Sequence, residues 1–322
     1  MKKIRNLFGI VLLAFVLVVS LSACKAKKVK VGILQYVTHT ALGAATEGFK
    51  SGLLSKLPNV EFEVLNPEAD ASALELDANK LVRECDLVIR IATPAAVALM
   101  NARDNNNLTI PVFFTAVTDP VDAGLVKKDG TSNNVFGTSD DNDVEGQIQM
   151  IQKVISNIDE FTVLYTASET NSQVQAERAK KEAEKQKLTC NIETISESSE
   201  LSATLTKIAN SGVKALYIPT DNLMASSMSA ISESMTSAHI LVVCGEEGMV
   251  LNGGSISNSI SYKELGIATG EMAAKVLQGE KLKKTAFYPA DLGNVTTIAI
   301  NESNIKAIGL NLSEVKKALG VA

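Results

Sequence analysis

Short apolar runs of strand length alternate with longer helical segments along almost the whole chain from residue 29 onward. Continuous apolar runs of this kind are typical of strands that are buried on both faces of a sheet. The first four predicted strands are residues 29–34, 60–65, 87–91 and 111–115. Predicted helices separate them, and one begins at Pro94, because proline is favoured at the first position of a helix. Strands alternating with helices predict mostly parallel sheets covered on both faces.

The alternation starts again after residues 133–138, which predict a strand that leaves the first series. The predicted strands of the second series are residues 162–165, 192–195, 214–218, 240–244 and 255–260. The predicted fold class is therefore α/β, a two-lobed clamshell in which each lobe is a parallel sheet flanked by helices. Later segments cross back between the lobes, so we assign 29–140 plus 261–290 to lobe 1 and 141–260 plus 291–322 to lobe 2. The cleft at the strands' carboxyl ends is the expected ligand site.

The N-terminus predicts where the protein is located. A basic start, an apolar run and small residues at 22 and 23 follow the order of a secretory signal, so residues 1–23 are predicted to be a signal peptide. The segment Leu21-Ser22-Ala23-Cys24 resembles a bacterial lipobox, which predicts a lipid on Cys24 and a short tether over residues 24–28. An ordinary signal peptide with a chance cysteine is the alternative. We expect a body held outside the cytoplasm, at the cell surface or in the periplasm, by its lipid.

Composition excludes several classes of function. A net charge of −5 argues against a nucleic-acid binder, and two histidines leave little for a metal site. The sequence lacks a nucleophile elbow, a phosphate loop and a dinucleotide fingerprint. We therefore expect no enzyme activity, no catalytic residue, no metal and no cofactor. The cysteines after Cys24 are expected to be buried free thiols, although a disulfide outside the cytoplasm is the alternative.

Polar residues follow most of the predicted strands. A helix that begins near Thr93 could hold a carboxylate on its free backbone N–H groups, while Thr93 could equally cap that helix. Asp221 could pair with an ammonium group or cap the helix that follows it. Of Glu246 and Glu247, one is expected to face the ligand and the other solvent.

Further strand-end residues have structural alternatives as well. Ser168 and Asn171 could cap a helix, Thr118 lies in a turn, and Tyr36 is placed to stack on a ligand. His39 is more typical of a hydrogen-bonding loop residue than of a metal ligand. Arg90 is unexpected in an apolar strand, and the sequence leaves open whether it pairs with an acid or reaches the cleft.

Several of these segments, in order, resemble a family of bacterial ABC-transporter substrate-binding lipoproteins, in the branch for tryptophan and tyrosine uptake. The segments are Val31 to His39, Ala92 to Ala96, Pro111 to Pro120, Asn171-Ser172, Tyr217 to Asn222, Gly245 to Met249 and Ser261 to Gly266. The resemblance implies the type I periplasmic-binding-protein clamshell and an ABC permease and ATPase as partners. The departures are Thr40, where a proline commonly follows the histidine, Glu246, where aspartate is usual, and Arg90, where a small residue is common.

The same resemblance implies roles for individual residues. Thr93, Ala95 and Ala96 would hold a ligand carboxylate, and Asp221 would meet its ammonium. The resemblance and the strand-end positions together give the candidate ligand-binding set Gln35, Tyr36, Thr38, Thr93, Ala95, Ala96, Thr118, Ser168, Asn171, Asp221, Asn222 and Glu247.

The leading hypothesis is a monomeric solute-binding lipoprotein of an ABC importer, with tryptophan, tyrosine or phenylalanine as its small-molecule ligand. A receptor subunit of the same fold that signals ligand binding is an alternative. An importer for a nucleoside or a sugar is another, although sugar sites need stacking aromatic residues, which are scarce at 4%. An extracytoplasmic enzyme would need a nucleophile–base pair.

Overall fold

The structure is a computed structural model that describes residues 28–132, 134–282 and 296–321. The predicted signal peptide, Cys24 and most of the tether lie outside the described residues. So do residues 283–295, which the sequence divides between the two lobes.

Lobe 1 is built on a sheet of five parallel strands. These strands are β1 (Val29–Gln35), β2 (Val60–Leu65), β3 (Leu87–Ile91), β4 (Val112–Thr115) and β5 (Val135–Gly137). The helices between them are α1 (Thr40–Lys56), α2 (Ala71–Glu84) and α3 (Thr93–Asn105). The strand order is β2-β1-β3-β4-β5, and all four pairings are parallel.

Side chains alternate between the two faces of this sheet, and both faces are buried. Ile33 packs in one cluster with Phe49 of α1, while its neighbour Leu34 packs with Leu81 of α2 and Leu99 of α3. Both faces of β1 therefore pack in a hydrophobic core, and for this reason apolar and polar residues do not alternate along the strand.

Lobe 2 is built on a six-stranded sheet. Its strands are β6 (Glu160–Thr166), β7 (Thr189–Ile195), β8 (Ala215–Ile218), β9 (Leu241–Cys244), β10 (Ile256–Ile260) and β11 (Thr296–Ile300). Its helices are α4 (Val144–Val154), α5 (Thr170–Gln186), α6 (Leu201–Asn210), α7 (Asn222–Ser226), α8 (Met228–Ser237), α9 (Glu247–Leu251), α11 (Glu302–Ala307) and α12 (Leu312–Leu319), with a 3-10 turn at Ser198–Glu200. The strand order is β11-β10-β9-β8-β6-β7, and only β11 runs antiparallel to its neighbour in the described part.

Helix α10 (Tyr262–Leu277) leaves lobe 2 after β10 and packs along α1 of lobe 1. Four glycines at i, i+4 spacing line this crossing, Gly48 and Gly52 on α1 and Gly266 and Gly270 on α10. A Cβ at Gly266 would overlap the carbonyl oxygen of Ala45, so the two backbones approach as closely as glycine allows. This close packing attaches α10 to lobe 1.

The two-lobed α/β architecture predicted from the alternation is confirmed, and the predicted strand boundaries differ from the observed ones by at most three residues. The sequence predicts a single helix over residues 222–236, and the structure contains two shorter ones there. Ser227 separates α7 from α8 because its backbone lies at φ −103° and ψ 6°, the conformation of a turn. The break lets Asn222 and Ala225 reach the cleft while Met228 and Ile231 enter the core.

The odd residues of the sequence have structural explanations. Cys85 and Cys244 are buried and Cys190 is half-buried, and all three are free thiols. Arg90 is fully buried under α3, where Nη1 donates to the Ala96 carbonyl and the guanidinium lies 5.8 Å from the Phe114 ring centroid. Burial lowers the pKa of Arg90 to about 9. Arg90 therefore neither lines the cleft nor forms a salt bridge within the described residues.

Candidate functional site

A small cavity lies between the lobes at the carboxyl ends of their strands, with about 280 Å³ of space, part of which is open to solvent. Lobe 1 contributes His39, Leu42, Thr93, Ala116 and Thr118. Lobe 2 contributes Asn171, Thr220, Asp221, Asn222, Ala225 and Glu246. Asp140 and Tyr262 come from the two segments where the chain passes between lobes.

On the lobe 1 side, two alanines hold positive φ angles where their strands end. Ala92 after β3 has φ 84° and Ala116 after β4 has φ 55°, and Ala92 N–H donates to the Thr115 carbonyl at 3.2 Å. Such backbone is costly for a residue with a Cβ and is concentrated at functional sites. Both angles shape the edge of the cavity next to the start of α3.

Thr93 does not cap α3, which corrects one of its two interpretations. Ala92 occupies the cap position, and Thr93 is the first residue of the helix. The Thr93 hydroxyl is buried, lines the cavity and has no hydrogen-bond partner among the described residues. The Ala96 N–H already donates to Ala92 O at 3.0 Å, and the side chains of Ala95 and Ala96 are fully buried outside the cavity lining. The Thr93 hydroxyl is therefore a polar group that α3 offers the cavity.

On the lobe 2 side, two buried carboxyl groups hold the start of α7. Asp221 Oδ1 accepts from Met224 N–H at 2.9 Å and from Thr166 Oγ1 at 2.8 Å, and Oδ2 accepts from Thr166 N–H at 2.6 Å. Glu169 accepts from the N–H groups of Asn222 at 3.1 Å and Leu223 at 3.0 Å. Asp221 is thus a cap, as one interpretation of the sequence proposed, and its oxygens are largely occupied.

Burial raises the pKa of both groups. The pKa of Glu169 rises to about 8, first because of burial and then because of the negative charge of Asp221. Burial also raises the pKa of Asp221. Tyr36 lies near both carboxyl groups, and burial together with their charges raises its pKa to about 12.

A second acidic group lies where the chain crosses between lobes. Tyr262 O–H donates to Asp140 Oδ2 at 2.5 Å, and Glu246 Oε2 accepts from Gly248 N–H at 2.5 Å. Glu246 is 1% exposed, and its Oε1 has no partner among the described residues. Burial raises the pKa of Glu246 to about 8 and that of Asp140 to about 6. A cationic ligand group beside them would supply the missing charge.

Five of the predicted residues meet at this cavity: Thr93, Thr118, Asn171, Asp221 and Asn222. The other seven lie elsewhere. The Gln35 side chain donates to Val37 O at 3.0 Å and accepts from Thr46 Oγ1 at 2.5 Å, so it is used within lobe 1. Thr38 is exposed and donates to Glu68 at 2.5 Å.

Two further predicted residues face away from the cavity. Ser168 is exposed, and Glu169 instead occupies the cap position of α5. Glu247 is half-buried and lies on the outer side of α9, whereas Glu246 faces the cavity. Adjacent residues at a helix start point in different directions, and here the first one turns inward to accept from Gly248. Tyr36, Ala95 and Ala96 pack beside the cavity without lining it.

Several lining residues were absent from the predicted set: His39, Leu42, Ala116, Asp140, Thr220, Ala225, Glu246 and Tyr262. His39, Thr220 and Glu246 do follow predicted strands: from sequence, His39 is interpreted as a loop residue, and Glu246 is one of two alternatives expected to face the ligand. Asp140 and Tyr262 lie on the crossing segments, which a search of strand ends alone does not reach.

The lobes touch beside the cavity. Asn252 Nδ2 donates to Thr40 Oγ1 at 2.6 Å, and His39 Nε2 lies 3.3 Å from Asn222 Oδ1. Both bonds join lobe 1 to lobe 2, so the cleft is closed in this structure. Across the described ranges, no group of three or more His, Cys, Asp or Glu is placed to hold a metal ion, and no helix is long and apolar enough to cross a membrane.

Comparisons with known proteins agree with this architecture. The family model for ABC transporter substrate binding proteins matches residues 30–319. A tyrosine-binding protein of Clostridioides difficile (strain R20291) is 33% identical over 290 residues, which cover 88% of this chain and 82% of that protein.

Two solved structures differ in how well they superpose. A Streptococcus pneumonia ABC domain in complex with L-Trp has 31% identity and a TM-score of 0.83, covering 92% of this chain and 99% of that one. The ligand-free, open structure of a substrate-binding protein with adhesive properties from Clostridium difficile has 34% identity but a TM-score of 0.64, covering 88% and 95%. The higher score belongs to the ligand-bound structure despite similar identity, in agreement with the closed cleft described above. The predicted family and type I periplasmic-binding-protein fold are confirmed, and this chain belongs to the ABC transporter substrate-binding proteins.

Proposed function

We propose that this protein is a lipid-anchored, extracytoplasmic binding component of an ABC importer that captures an aromatic amino acid. Cys24 would carry the lipid, and the closed protein would deliver its ligand to a permease driven by an ATPase. The protein would act as a monomer and would neither make nor break a bond. The observation that carries this proposal is the closed cavity, where buried polar atoms of Thr93 and Glu246 have no protein partner in the described chain.

The unpartnered atoms suggest how an amino acid would lie. Glu246, with Asp140 beside it, would accept the ligand ammonium, because Glu246 Oε1 is free and buried. The Thr93 hydroxyl at the start of α3 would donate to the ligand carboxylate, where the helix N-terminus favours negative charge. Asp221, which the resemblance paired with the ammonium, would act mainly by holding the start of α7.

The relatives support an aromatic amino acid as the ligand class. One is named a tyrosine-binding protein and another holds L-Trp, each with at least 31% identity to this chain. A sugar fits this cavity less well, because sugar sites need aromatic rings for stacking. Among the described residues that line the cavity, Tyr262 is the one Phe, Tyr or Trp side chain, and its hydroxyl donates to Asp140.

A thermal-shift screen of the mature protein against the twenty amino acids, nucleosides and simple sugars tests the proposal. A ligand at 100 times its dissociation constant adds about 2.7 kcal/mol to the free energy of unfolding. We expect the largest shifts with tyrosine or tryptophan. Shifts with a nucleoside or sugar alone would overturn the ligand class. A receptor role would be indicated if the closed protein fails to stimulate the ATPase of its reconstituted permease.

A further inference from the structure

The orientation of the Asn222 side chain fixes the tautomer of His39. Asn222 Nδ2 donates to Glu169 Oε2, which also accepts from the Asn222 backbone N–H. The amide oxygen therefore points the other way, 3.3 Å from His39 Nε2. Because a carbonyl oxygen can only accept, His39 Nε2 must carry the hydrogen and Nδ1 must carry a lone pair.

The lone pair of His39 Nδ1 has no partner. The atom is buried, and among the described residues it makes no hydrogen bond, although His39 lines the cavity. Burial lowers the pKa of His39 to about 4, so the ring is neutral at physiological pH. One of the residues that line the cavity thus carries an uncharged, buried acceptor with no partner in the described chain.

Asn171 supplies a second acceptor of the same kind. Its Nδ2 donates to the Thr220 carbonyl at 2.8 Å, which leaves Oδ1 as the free atom. Asn171 is 5% exposed, and Oδ1 is buried without a partner in the described chain. A buried acceptor left unpaired in the complex would cost binding energy, so a ligand that fits must bring a donor to it.

The two kinds of free acceptor in the cavity differ in charge. The Glu246 carboxyl group can ionise and pair with an ammonium, whereas His39 Nδ1 and Asn171 Oδ1 stay neutral and can accept from a neutral O–H or N–H. Phenylalanine has no donor beyond its ammonium. Tyrosine has a phenol O–H and tryptophan an indole N–H.

We propose that His39 Nδ1 accepts a hydrogen bond from an uncharged donor on the ligand's aromatic ring, with Asn171 Oδ1 of the opposite lobe as a second neutral acceptor in the same cavity. The protein then discriminates phenol- or indole-bearing amino acids from those with a plain ring. This inference rests on the proposed function, because it assumes that an amino acid occupies the cavity.

Calorimetry with L-tyrosine and 4-fluoro-L-phenylalanine tests this donor subsite at His39, because the two ligands are nearly equal in size and differ in the donor. We expect tyrosine to bind the wild-type protein about 10- to 100-fold more tightly. In His39→Leu the ratio should fall at least about tenfold through weaker tyrosine binding, with 4-fluorophenylalanine little changed.

The outcomes distinguish a failure of the proposed ligand class from a failure of the proposed donor subsite. If neither ligand binds the wild-type protein, the proposed aromatic ligand class fails. If both bind equally well, or if His39→Leu weakens both to the same extent, amino-acid binding stands and the donor subsite is overturned, since the subsite would then hold a group that both ligands share.

A spectroscopic measurement on His39 in the wild-type protein tests the same proposal without a substitution, so it still applies if the His39→Leu variant fails to fold. The chain has two histidines, so ¹⁵N-histidine labelling gives two imidazole patterns. His239→Asn assigns them, because exposed His239 has φ 55°, which asparagine tolerates. The ¹⁵N chemical shift of His39 Nδ1 should be that of an unprotonated nitrogen without a hydrogen bond in the ligand-free protein, and that of a hydrogen-bonded unprotonated nitrogen with tyrosine bound. An Nδ1 that carries the proton, or that does not respond to tyrosine, would overturn the proposal.

Discussion

The side-chain amide of Asn252 donates a 2.6 Å hydrogen bond to the Thr40 hydroxyl, joining α9 of lobe 2 to the start of α1 of lobe 1. The same short helix begins beside Glu246, whose Oε2 accepts from Gly248 N–H. One five-residue helix therefore connects a cavity carboxyl group to the contact between lobes. The proposed ligand contact at Glu246 would therefore be coupled to closure of the cleft through this helix.

Gly248→Ala should weaken closure. An added Cβ would lie 2.7 Å from Glu246 Oε2, 3.0 Å from Ala41 N and 3.1 Å from Thr40 Cβ, across the lobe contact. Overpacking of this kind costs about 1–3 kcal/mol, so we expect the affinity for tyrosine to fall about tenfold or more by calorimetry. An open cleft would separate this Cβ from Ala41 and Thr40 of lobe 1 but not from Glu246, whose side chain would have to shift in either state.

Gly43→Ala is the matched control for this substitution. Gly43 lies in α1 near the same contact, but a Cβ there meets nothing within 4 Å. This variant should bind tyrosine normally and be slightly more stable, because alanine is a better helix former. Equal affinities for the two variants would contradict the coupling through α9.

The neighbouring carboxylates Glu246 and Glu247 provide a second test. Glu246→Gln removes the charge proposed to meet the ammonium, and loss of a buried charge pair costs about 2–5 kcal/mol of binding. Glu247→Gln removes a half-buried charge outside the cavity and should change affinity by less than about 0.5 kcal/mol. Calorimetry with tyrosine measures both, and a larger loss in Glu247→Gln would reverse the assignment.

The sequence predicted the series of strands and helices because parallel strands buried on both faces leave long apolar runs, as in β1 and β3. It could not distinguish Glu246 from Glu247. The two residues are chemically identical, and their difference lies in which one folds back onto Gly248 N–H. Asp140 and Tyr262 reach the cavity only because the chain crosses between lobes, a relationship between distant segments that local pattern does not contain.

The sequence analysis also did not predict the close packing of α1 against α10, although the glycines that allow it can be read in the sequence. Gly266→Ala should destabilise lobe 1, because a Cβ would overlap Ala45 O of the facing backbone, which cannot rotate away. We expect a loss of at least about 2 kcal/mol in the free energy of unfolding, measured with urea. Gly43→Ala, in the same helix pair but facing open space, should lose nothing. Equal stability in the two variants would show that the helices can separate at little cost.

Closure of the ligand-free protein should depend on pH. In the closed form burial raises the pKa of Glu246 and Glu169 to about 8 and that of Asp140 to about 6, and it also raises the pKa of Asp221. In an open cleft exposed to water these groups would titrate at about pH 4, the usual range for exposed carboxyl groups. Closing without ligand therefore takes up protons, and closure is favoured as pH falls from about 8 towards 4.5.

Small-angle X-ray scattering of the ligand-free protein measures this effect. The radius of gyration should be smaller at pH 5 than at pH 8.5. In the Glu246→Gln variant residue 246 is neutral at both pH values, so the radius of gyration should depend less on pH. The dependence that remains should arise from Glu169, Asp140 and Asp221. Bound tyrosine should keep the protein closed at both pH values, because its ammonium stabilises the ionised form of Glu246. A radius that grows on acidification would show that the buried carboxyl groups do not control the position of the lobes.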